Sequence, residues 1–402
     1  MSSCIVIDYV LLAPEIVQEF SSMGLSVHRI KPPDLSVATF KSLCAEVQPR
    51  FLFSMNFSPE LALLASQERL PYISWTIDSL PVNRLQLYSG SDSGLCWIFV
   101  HDRELMEPFE QLGISRLQIK YLPLATSERR HPVSDPGALQ RHRCDVSFVG
   151  ESLIGEKMSA CGSVAGLLRQ YPHNFQHREV ADVLDELNQL FKEVVARAVD
   201  RVGDIPVTRE KLVGVLPHWF VQGLASGISE YDRLLCLDWL AGWVAHEFRR
   251  FRIEQILEHA SQRGWKVKIY GDEGWRSIAG VAYCDYAEHY DTLNCIYSAS
   301  RVNIDIPRTY QRTIVTMRVF DVLACGGFMI TEFNNALAEL CVPGEHLECY
   351  YSTSDLIQKL ESALSLSDER LRAVAEKGRA HIVSQHTLKN RVPQLVAGVV
   401  SF

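Results

Sequence analysis

The chain has 402 residues, a net charge of −8 and 47% hydrophobic residues, which is the composition of a globular protein with more than one core. The negative charge speaks against general binding to nucleic acid. No apolar run approaches the roughly 18 residues that cross a bilayer, and the N-terminus lacks the pattern of a secretion signal. We therefore expect a two-domain protein of the cytoplasm.

The eleven cysteines contain no C-x-x-C pair. Most lie inside apolar runs, as Cys4, Cys96, Cys144, Cys236 and Cys325 do. Because free cysteine behaves as a small buried hydrophobe, this pattern favours a reducing compartment over disulfides or structural zinc.

Short apolar runs alternate with helical segments over the first 125 residues, which predicts a parallel, doubly wound sheet. The predicted strands are 4–7, 26–30, 51–54, 72–75, 97–100 and 119–122. The predicted helices between them include 14–23, 35–46, 59–68 and 103–112.

Polar side chains follow several of these strands. They are Asn56 and Ser58, then Asp78 and Ser79, then His101 and Asp102. Because the carboxyl ends of neighbouring parallel strands converge, these residues are the site candidates of the first domain.

A polar segment with two prolines, residues 126–143, is predicted to be a linker, and a strand at 144–150 opens a second α/β domain. From about 152 to 259 only helices are predicted, the clearest being 178–202, whose apolar stripe indicates core packing. A helical insertion of this kind would cap or flank a cleft.

One basic cluster lies late in this insertion, where His246 precedes Arg249, Arg250 and Arg252. A solvated helix face is the favoured interpretation, and an anion or membrane site is the alternative. The α/β rhythm resumes with a predicted strand at 266–270, followed by Gly271 and Asp272.

The segment 301–332 is predicted to form a strand at 302–306, a polar loop, a helix from about Ile314 and a second strand at 328–331. Such a loop lies at the carboxyl edge of a parallel sheet, where the following helix points its positive end at a ligand. Arg308, Arg312 and Arg318 add charge suited to phosphate.

Asp321 follows Arg318 by three residues, so the two share a helix face, and its carboxylate could accept the hydroxyls of a ribose. An ordinary surface ion pair of these two residues is the alternative. The chain lacks the G-x-G-x-x-G and P-loop motifs, and no D-x-D follows a strand. A divalent-metal clamp for diphosphate is therefore unsupported, and arginines with a helix terminus would carry that charge.

Seven segments, taken in order, resemble CgeB-like bacterial glycosyltransferases. They are N-F-S-P-E at 56–60, P-Y-I-S-W-x-x-D-S at 71–79, Y-L-P-L-A at 121–125, C-D-V-S-F-V-G at 144–150, Y-G-D-x-x-W at 270–275, R-V-F-D-x-x-A-C-G-G-F at 318–328, and H-T at 386–387 followed by Arg391. The resemblance covers nearly the whole chain except the helical insertion.

This resemblance implies the GT-B architecture, in which two Rossmann-like domains face each other across a cleft. It implies transfer of a sugar from a nucleotide-diphosphate sugar to an acceptor hydroxyl, without a metal or other cofactor. The acceptor could be a glycan, a lipid-linked glycan or a protein. The implied division is 1–130 for the acceptor domain, 131–143 for the linker, 144–385 for the donor domain with its insertion at about 152–259, and 386–402 for a helical tail that packs on the first domain.

The resemblance also implies roles for single residues. Asp321 would hold the donor ribose, Gly271 and Asp272 would border the donor, and the residues around the diphosphate would be Arg308, Arg312, Thr313 and Arg318. Retaining GT-B enzymes often carry a glutamate eight positions before the ribose-binding acid, and here that position is Thr313.

The missing carboxylate favours an inverting reaction with a base in the first domain. Asp78 is the predicted base, with His101 and Asp102 as substitutes. The alternatives are that Asp78 and Ser79 cap a helix or turn and that His101 is a hydrogen-bonded loop histidine. Two other functions stay open, namely a non-catalytic protein that kept the fold and a sugar-nucleotide epimerase of similar build.

Overall fold

The structure is a computed structural model in which residues 2–9, 12–78, 93–198, 208–397 and 399 are described. The chain divides into two compact units. Unit 1 consists of Met1–Arg129, Thr313–Asp321 and His381–Phe402, and unit 2 consists of Arg130–Arg312 and Val322–Ala380.

Unit 1 contains a six-stranded parallel sheet in the order β2-β1-β3-β4-β5-β6. Its strands are β1 Ser3–Ile7, β2 Ser26–Ile30, β3 Leu52–Met55, β4 Tyr72–Trp75, β5 Cys96–Val100 and β6 Ile119–Tyr121. All six lie within one residue of their predicted bounds. The central strands are buried along their whole length, because helices cover a parallel sheet on both faces.

The helices in the described residues of this part of the chain are α1 Ala13–Ser22, α2 Val37–Val47, α3 Pro59–Gln67 and α4 Met106–Gln111. Helix α3 begins where the sequence predicts, because Ser58 accepts a hydrogen bond from the Leu61 N–H at 3.2 Å and Pro59 occupies the first turn. The core between sheet and helices includes Leu52, Tyr72 and Phe109. The strand order changes direction between β1 and β3, so the carboxyl ends of these strands form the ligand-binding edge expected of such a sheet.

Unit 2 contains a five-stranded parallel sheet in the order β11-β10-β9-β7-β8. Its strands are β7 Cys144–Val149, β8 Val267–Tyr270, β9 Ser300–Ile304, β10 Met329–Glu332 and β11 Glu348–Tyr350. Here the order changes direction between β7 and β9. Strand β9 begins and ends two residues before its predicted bounds, and the short strand β11 is not among the predictions.

Helices fill the chain from β7 to β8, and the described residues between these strands contain no strand. Helix α5, Pro136–Gln140, precedes β7. The helices in the described residues between β7 and β8 are α6 Ile154–Gln170, α7 Val180–Arg197, α8 Arg209–Val215, α9 His218–Ala225 and the 34-residue α10 Glu230–Arg263. The predicted helix 178–202 corresponds to α7, and its residue Val202 lies outside the described part of the chain. The prediction that its stripe packs in a core is confirmed, because Val183, Leu187 and Phe191 are buried among these helices.

The remaining helices are α11 Arg276–Ala279, α12 Asp291–Ala299, α13 Met317–Ala324, α14 Asn335–Leu340, α15 Thr353–Ser365, α16 Asp368–Gln385 and α17 Leu388–Val396. Helix α13 begins three residues after the predicted start at Ile314. All eleven cysteines are free, and seven are buried. Among the helices of the described ranges, none is both long and apolar enough for a membrane span.

Candidate functional site

The carboxyl edge of the sheet in unit 1 brings together side chains from the ends of three strands. The Asp78 carboxylate, after β4, accepts two hydrogen bonds at Oδ2, from the Tyr9 hydroxyl at 2.6 Å and the Asn56 Nδ2 at 2.8 Å. Asn56, after β3, has a left-handed φ of 58°. Its Oδ1 accepts from the N–H groups of Ile77 at 2.9 Å and Asp78 at 3.1 Å, which fixes the chain after β4.

Asp78 itself is exposed, so this predicted base is a solvent-accessible carboxylate held by two donors. The neighbouring Ser79 lies outside the described residues. Tyr9 is not among the predicted site residues, although its position two residues after β1 is a signal that could have identified it. Burial, with Asp78 as a smaller cause, raises the pKa of Tyr9 to about 12, so at neutral pH its hydroxyl keeps its proton and donates to the carboxylate.

His101 follows β5 and is only 1% exposed. Its Nδ1 lies 2.8 Å from the Thr76 Oγ1, and the same oxygen accepts from the His101 backbone N–H at 3.1 Å. Its Nε2 is buried without a hydrogen-bond partner among the described residues. Burial lowers the pKa of His101 to about 4, although Asp102 and Asp78 oppose the shift. The imidazole is therefore neutral at physiological pH, with Nε2 as its one ring nitrogen not engaged by Thr76.

Asp102 serves as a cap. It accepts from the Glu104 N–H at 3.0 Å at the start of a short turn, and the Thr313 hydroxyl donates to the same oxygen. Thr313, predicted to lie at the donor diphosphate, is thus grouped with unit 1 and bonded to the end of β5.

Asp321 is 4% exposed, and its Oδ1 accepts from the Thr126 hydroxyl at 2.8 Å. The backbone of Thr126 is paired on both sides with the start of α17, since its N–H donates to the His386 carbonyl and its carbonyl accepts from the Leu388 N–H, each at 3.0 Å. Arg318, on the same helix, is half-buried. Asp321 and Arg318 both belong to unit 1.

Gly271 and Asp272 follow β8 in unit 2 and hold the loop after β7. A Cβ at Gly271 would lie 2.1 Å from the Gly150 carbonyl oxygen, so only glycine permits this approach of the two loops. The Asp272 carboxylate accepts from the Ser152 hydroxyl at 2.6 Å, the Ser152 N–H at 2.9 Å and the Gly274 N–H at 2.9 Å. These two predicted donor-site residues therefore fix the backbone of the loops after β7 and β8 at the carboxyl edge of the sheet.

Arg308 lies in the loop after β9 and is paired with two carboxylates from the segment after β7. Its Nε is 3.2 Å from Glu156, and its Nη2 is 3.3 Å from Glu151. The Tyr310 hydroxyl donates to Glu156 as well, at 3.0 Å. Burial raises the pKa of Glu156, and the Arg308 charge opposes that shift. Arg312, at the end of the same loop, is exposed.

The basic cluster on α10 is not a solvated face, so that interpretation is wrong. His246, Arg249 and Arg252 are 3%, 5% and 0% exposed, and of the four basic side chains only Arg250 reaches solvent appreciably. The buried guanidiniums bond groups at the carboxyl edge of the sheet in unit 2. Their spacing of three residues places all three on one helix face, but this spacing alone does not separate a buried face from a solvated one.

The predicted residues thus fall into two sets. Unit 1 holds the potential bases Asp78, His101 and Asp102, together with Thr313 before α13 and with Arg318 and Asp321 in that helix. Unit 2 holds Gly271, Asp272, Arg308 and Arg312 around the loops after β7, β8 and β9. Each set includes residues at the carboxyl edge of a parallel sheet, where α/β proteins bind ligands.

Two parallel sheets of this topology, each in its own unit, define the GT-B class of glycosyltransferase folds, and solved structures of this kind align with almost the whole chain. Sucrose-phosphate synthase from Thermosynechococcus elongatus aligns with a TM-score of 0.59 and 11% identity, covering 99% of this chain and 98% of that one. HepE of Anabaena, solved with UDP-glucose, aligns at 0.53 and 8%, covering 99% of both chains. A UDP-forming trehalose-phosphate synthase from Burkholderia xenovorans aligns at 0.52 and 10%, again covering 99% of both. The predicted fold class is confirmed.

The match to a sequence family covers a smaller part of the chain. Residues 249–397 match the family described as glycosyl transferase-like. No curated protein matches the chain significantly. The resemblance to glycosyltransferases is confirmed at this level, and the narrower likeness to CgeB-like proteins stays a prediction.

Proposed function

We propose that this protein transfers a sugar from a nucleotide-diphosphate sugar to an acceptor hydroxyl. The observation that carries the proposal is the family match over residues 249–397, because that stretch contains every residue predicted to bind the donor. The fold supports it, since HepE shares that fold and was solved with UDP-glucose. Transfer of a hexosyl group and membership of the CgeB-like family are the narrower forms of the same proposal.

In this proposal unit 2 binds the donor at the loops after β7, β8 and β9. Arg308 and Arg312 supply positive charge there, so that no metal is needed for the diphosphate. Arg308 is prepared for this role because its present partners, Glu151 and Glu156, are carboxylates, and a diphosphate offers the same kind of oxygen. Binding would exchange one anionic partner of the guanidinium for another.

Unit 1 supplies the base, for which we propose Asp78. Its carboxylate takes the proton of the acceptor hydroxyl while that oxygen bonds to the anomeric carbon and the bond from this carbon to the diphosphate breaks. The configuration at this carbon is inverted by such a single displacement. Tyr9 and Asn56 fix the carboxylate through Oδ2. The neutral His101 is the substitute base, through Nε2.

The test compares Asp78→Asn with Asp8→Asn, another aspartate at a strand end of unit 1, whose Oδ1 is paired with Arg29 at 2.6 Å. Nucleotide release is measured over a panel of UDP-, GDP- and ADP-sugars, with and without EDTA. Asp78→Asn should lower kcat by about 10²–10⁴-fold, the usual contribution of a general base, and leave donor binding intact. Asp8→Asn should be active. If Asp78→Asn retains full kcat while His101→Gln loses it, the base is His101.

A non-catalytic nucleotide-sugar-binding protein is the second candidate function. It is favoured by Thr313, which replaces a carboxylate of retaining enzymes and whose hydroxyl is bonded to Asp102. Calorimetry with UDP, GDP and ADP, paired with the release assay, separates the two. Tight binding without turnover of any donor supports this candidate and contradicts the first.

We also place the protein in the cytoplasm. The support is its cysteine usage, since eleven free thiols, seven of them buried, suit a reducing compartment. Labelling of the thiols in the protein taken directly from cells checks this, and disulfide-bonded forms would contradict it.

A further inference from the structure

Helix α10 presents one stripe of basic side chains to the sheet of unit 2. Its members, His246, Arg249 and Arg252, are spaced by three residues and therefore share a helix face. All three are buried, which is rare for arginine unless its donors are bonded.

The first two members bond main-chain carbonyls at the carboxyl edge of the sheet. The His246 Nδ1 lies 2.7 Å from the carbonyl oxygen of Ser152. Arg249 donates from Nη1 to the carbonyl of Glu151 at 2.8 Å and from Nη2 to that of Ile306 at 2.6 Å. One guanidinium thus bonds both the loop after β7 and the loop after β9.

The third member bonds the ends of the next two strands. Arg252 donates from Nη1 to the Glu332 carboxylate, at the end of β10, at 2.5 Å, and to the Tyr350 hydroxyl, at the end of β11, at 3.0 Å. The Tyr350 hydroxyl in turn donates to the carbonyl of Asp305 at 2.7 Å. Along the stripe the contacts follow the order of the sheet, which is β7, β9, β10 and β11.

The position of Arg249 is special because the strand order changes direction between β7 and β9, which is where sheets of this kind bind nucleotides. The two carbonyls it bonds belong to the two loops on either side of that point. A planar guanidinium has donors in a fixed geometry and keeps its charge, so it sets the spacing of the two loops.

We propose that Arg249 is a positioning residue for the nucleotide diphosphate, acting through the spacing of the loops after β7 and β9. The inference rests on the proposed function and assigns a role in ligand binding to the helical insertion, which the donor motifs do not include. Without the second N–H donor of Arg249, one of the two loops loses its anchor, so binding of the diphosphate must supply the cost of ordering that loop.

The test titrates the full-length protein with UDP, GDP and ADP by calorimetry, for the wild type and for Arg249→Lys and Arg249→Met. Lysine keeps the charge but lacks the fixed planar arrangement of donors of the guanidinium, whereas methionine keeps only the aliphatic length. We expect Kd of the preferred nucleotide to rise about tenfold in Arg249→Lys and further in Arg249→Met, because binding must then order a loop that is no longer anchored. In the transfer assay, KM for the donor should rise more than kcat falls.

The control is Arg250→Met on the same helix. Arg250 pairs with Glu247 at 2.9 Å and Glu254 at 2.5 Å and bonds neither loop, so its loss should leave nucleotide affinity unchanged. If Arg249→Met does not fold, Arg249→Lys decides. A lower Tm with wild-type affinity in Arg249→Lys would show a purely structural role and overturn the proposal. If the wild type binds none of the three nucleotides, the proposed function fails together with it.

Discussion

Protonation of His101 should destabilise the protein in a defined pH window. The folded-state pKa is about 4, below the ordinary 6.5, because burial disfavours the charged ring. The unfolded chain therefore binds more protons between these values, and stability is lost as the pH falls below 6.5 towards 4. From this difference, His101 should lower the free energy of unfolding by about 2 kcal/mol between pH 7 and pH 5, and by about 3 kcal/mol at pH 4.

Urea unfolding at pH 7, 6 and 5 measures this effect when the wild type is compared with His101→Gln. Glutamine can still bond Thr76 but does not titrate, so the variant should lose about 2 kcal/mol less than the wild type between pH 7 and pH 5. Carboxylates titrate in both proteins and cancel in the comparison. The same loss of stability with falling pH in the wild type and in His101→Gln would contradict this prediction. So would an imidazole NMR titration of His101 with a midpoint near pH 6.5.

Two further substitutions test the packing at the carboxyl edge in unit 2, both by urea unfolding. Gly271→Ala should lower the free energy of unfolding by about 3 kcal/mol, because the added Cβ would lie 2.1 Å from the backbone oxygen of Gly150. Gly162 is exposed in a helix and an added Cβ there would have no atom within 4 Å, so Gly162→Ala should raise the free energy of unfolding by about 0.5–1 kcal/mol. Equal effects would contradict the close approach of the two loops. Arg252→Met should lower the free energy of unfolding by about 3–5 kcal/mol, because it removes the cation that pairs with the Glu332 carboxylate. Adding Glu332→Gln should recover part of this loss. A double variant no more stable than the single one would show that the two side chains act independently.

The strands of both sheets could be predicted from the sequence because each is a short apolar run between turn residues. The exceptions have physical causes. Strand β9 is displaced by two residues from its predicted bounds. Asp305 and Ile306 follow it as a buried loop, and periodicity does not separate such a loop from a strand. Strand β11 has three residues, one of them Glu348, and so lacks a pattern.

The burial of Arg249 and Arg252 could not be read from the sequence because their partners are distant along the chain. Arg249 bonds residues 98 positions before it and 57 positions after it, and a run of arginines in a helix is solvated unless such carbonyls meet it. The same holds for Thr313, whose bond to Asp102 spans 211 residues. The position of Asp78 at the carboxyl edge of the sheet was predictable, since a polar residue after a strand of a parallel sheet is near other strand ends.

The pairing of Thr126 with the start of α17 bears on how the protein is made. The ribosome synthesises the six strands of the first sheet early. Helix α17, which packs on α1, is synthesised much later. The backbone groups of His386 and Leu388, which pair with Thr126, follow Thr126 by some 260 residues. At about 5–20 residues per second the nascent chain carries that unfinished surface for roughly 13–50 seconds. Chaperones that protect exposed apolar surface during synthesis should therefore matter more for the first unit, although it is made first.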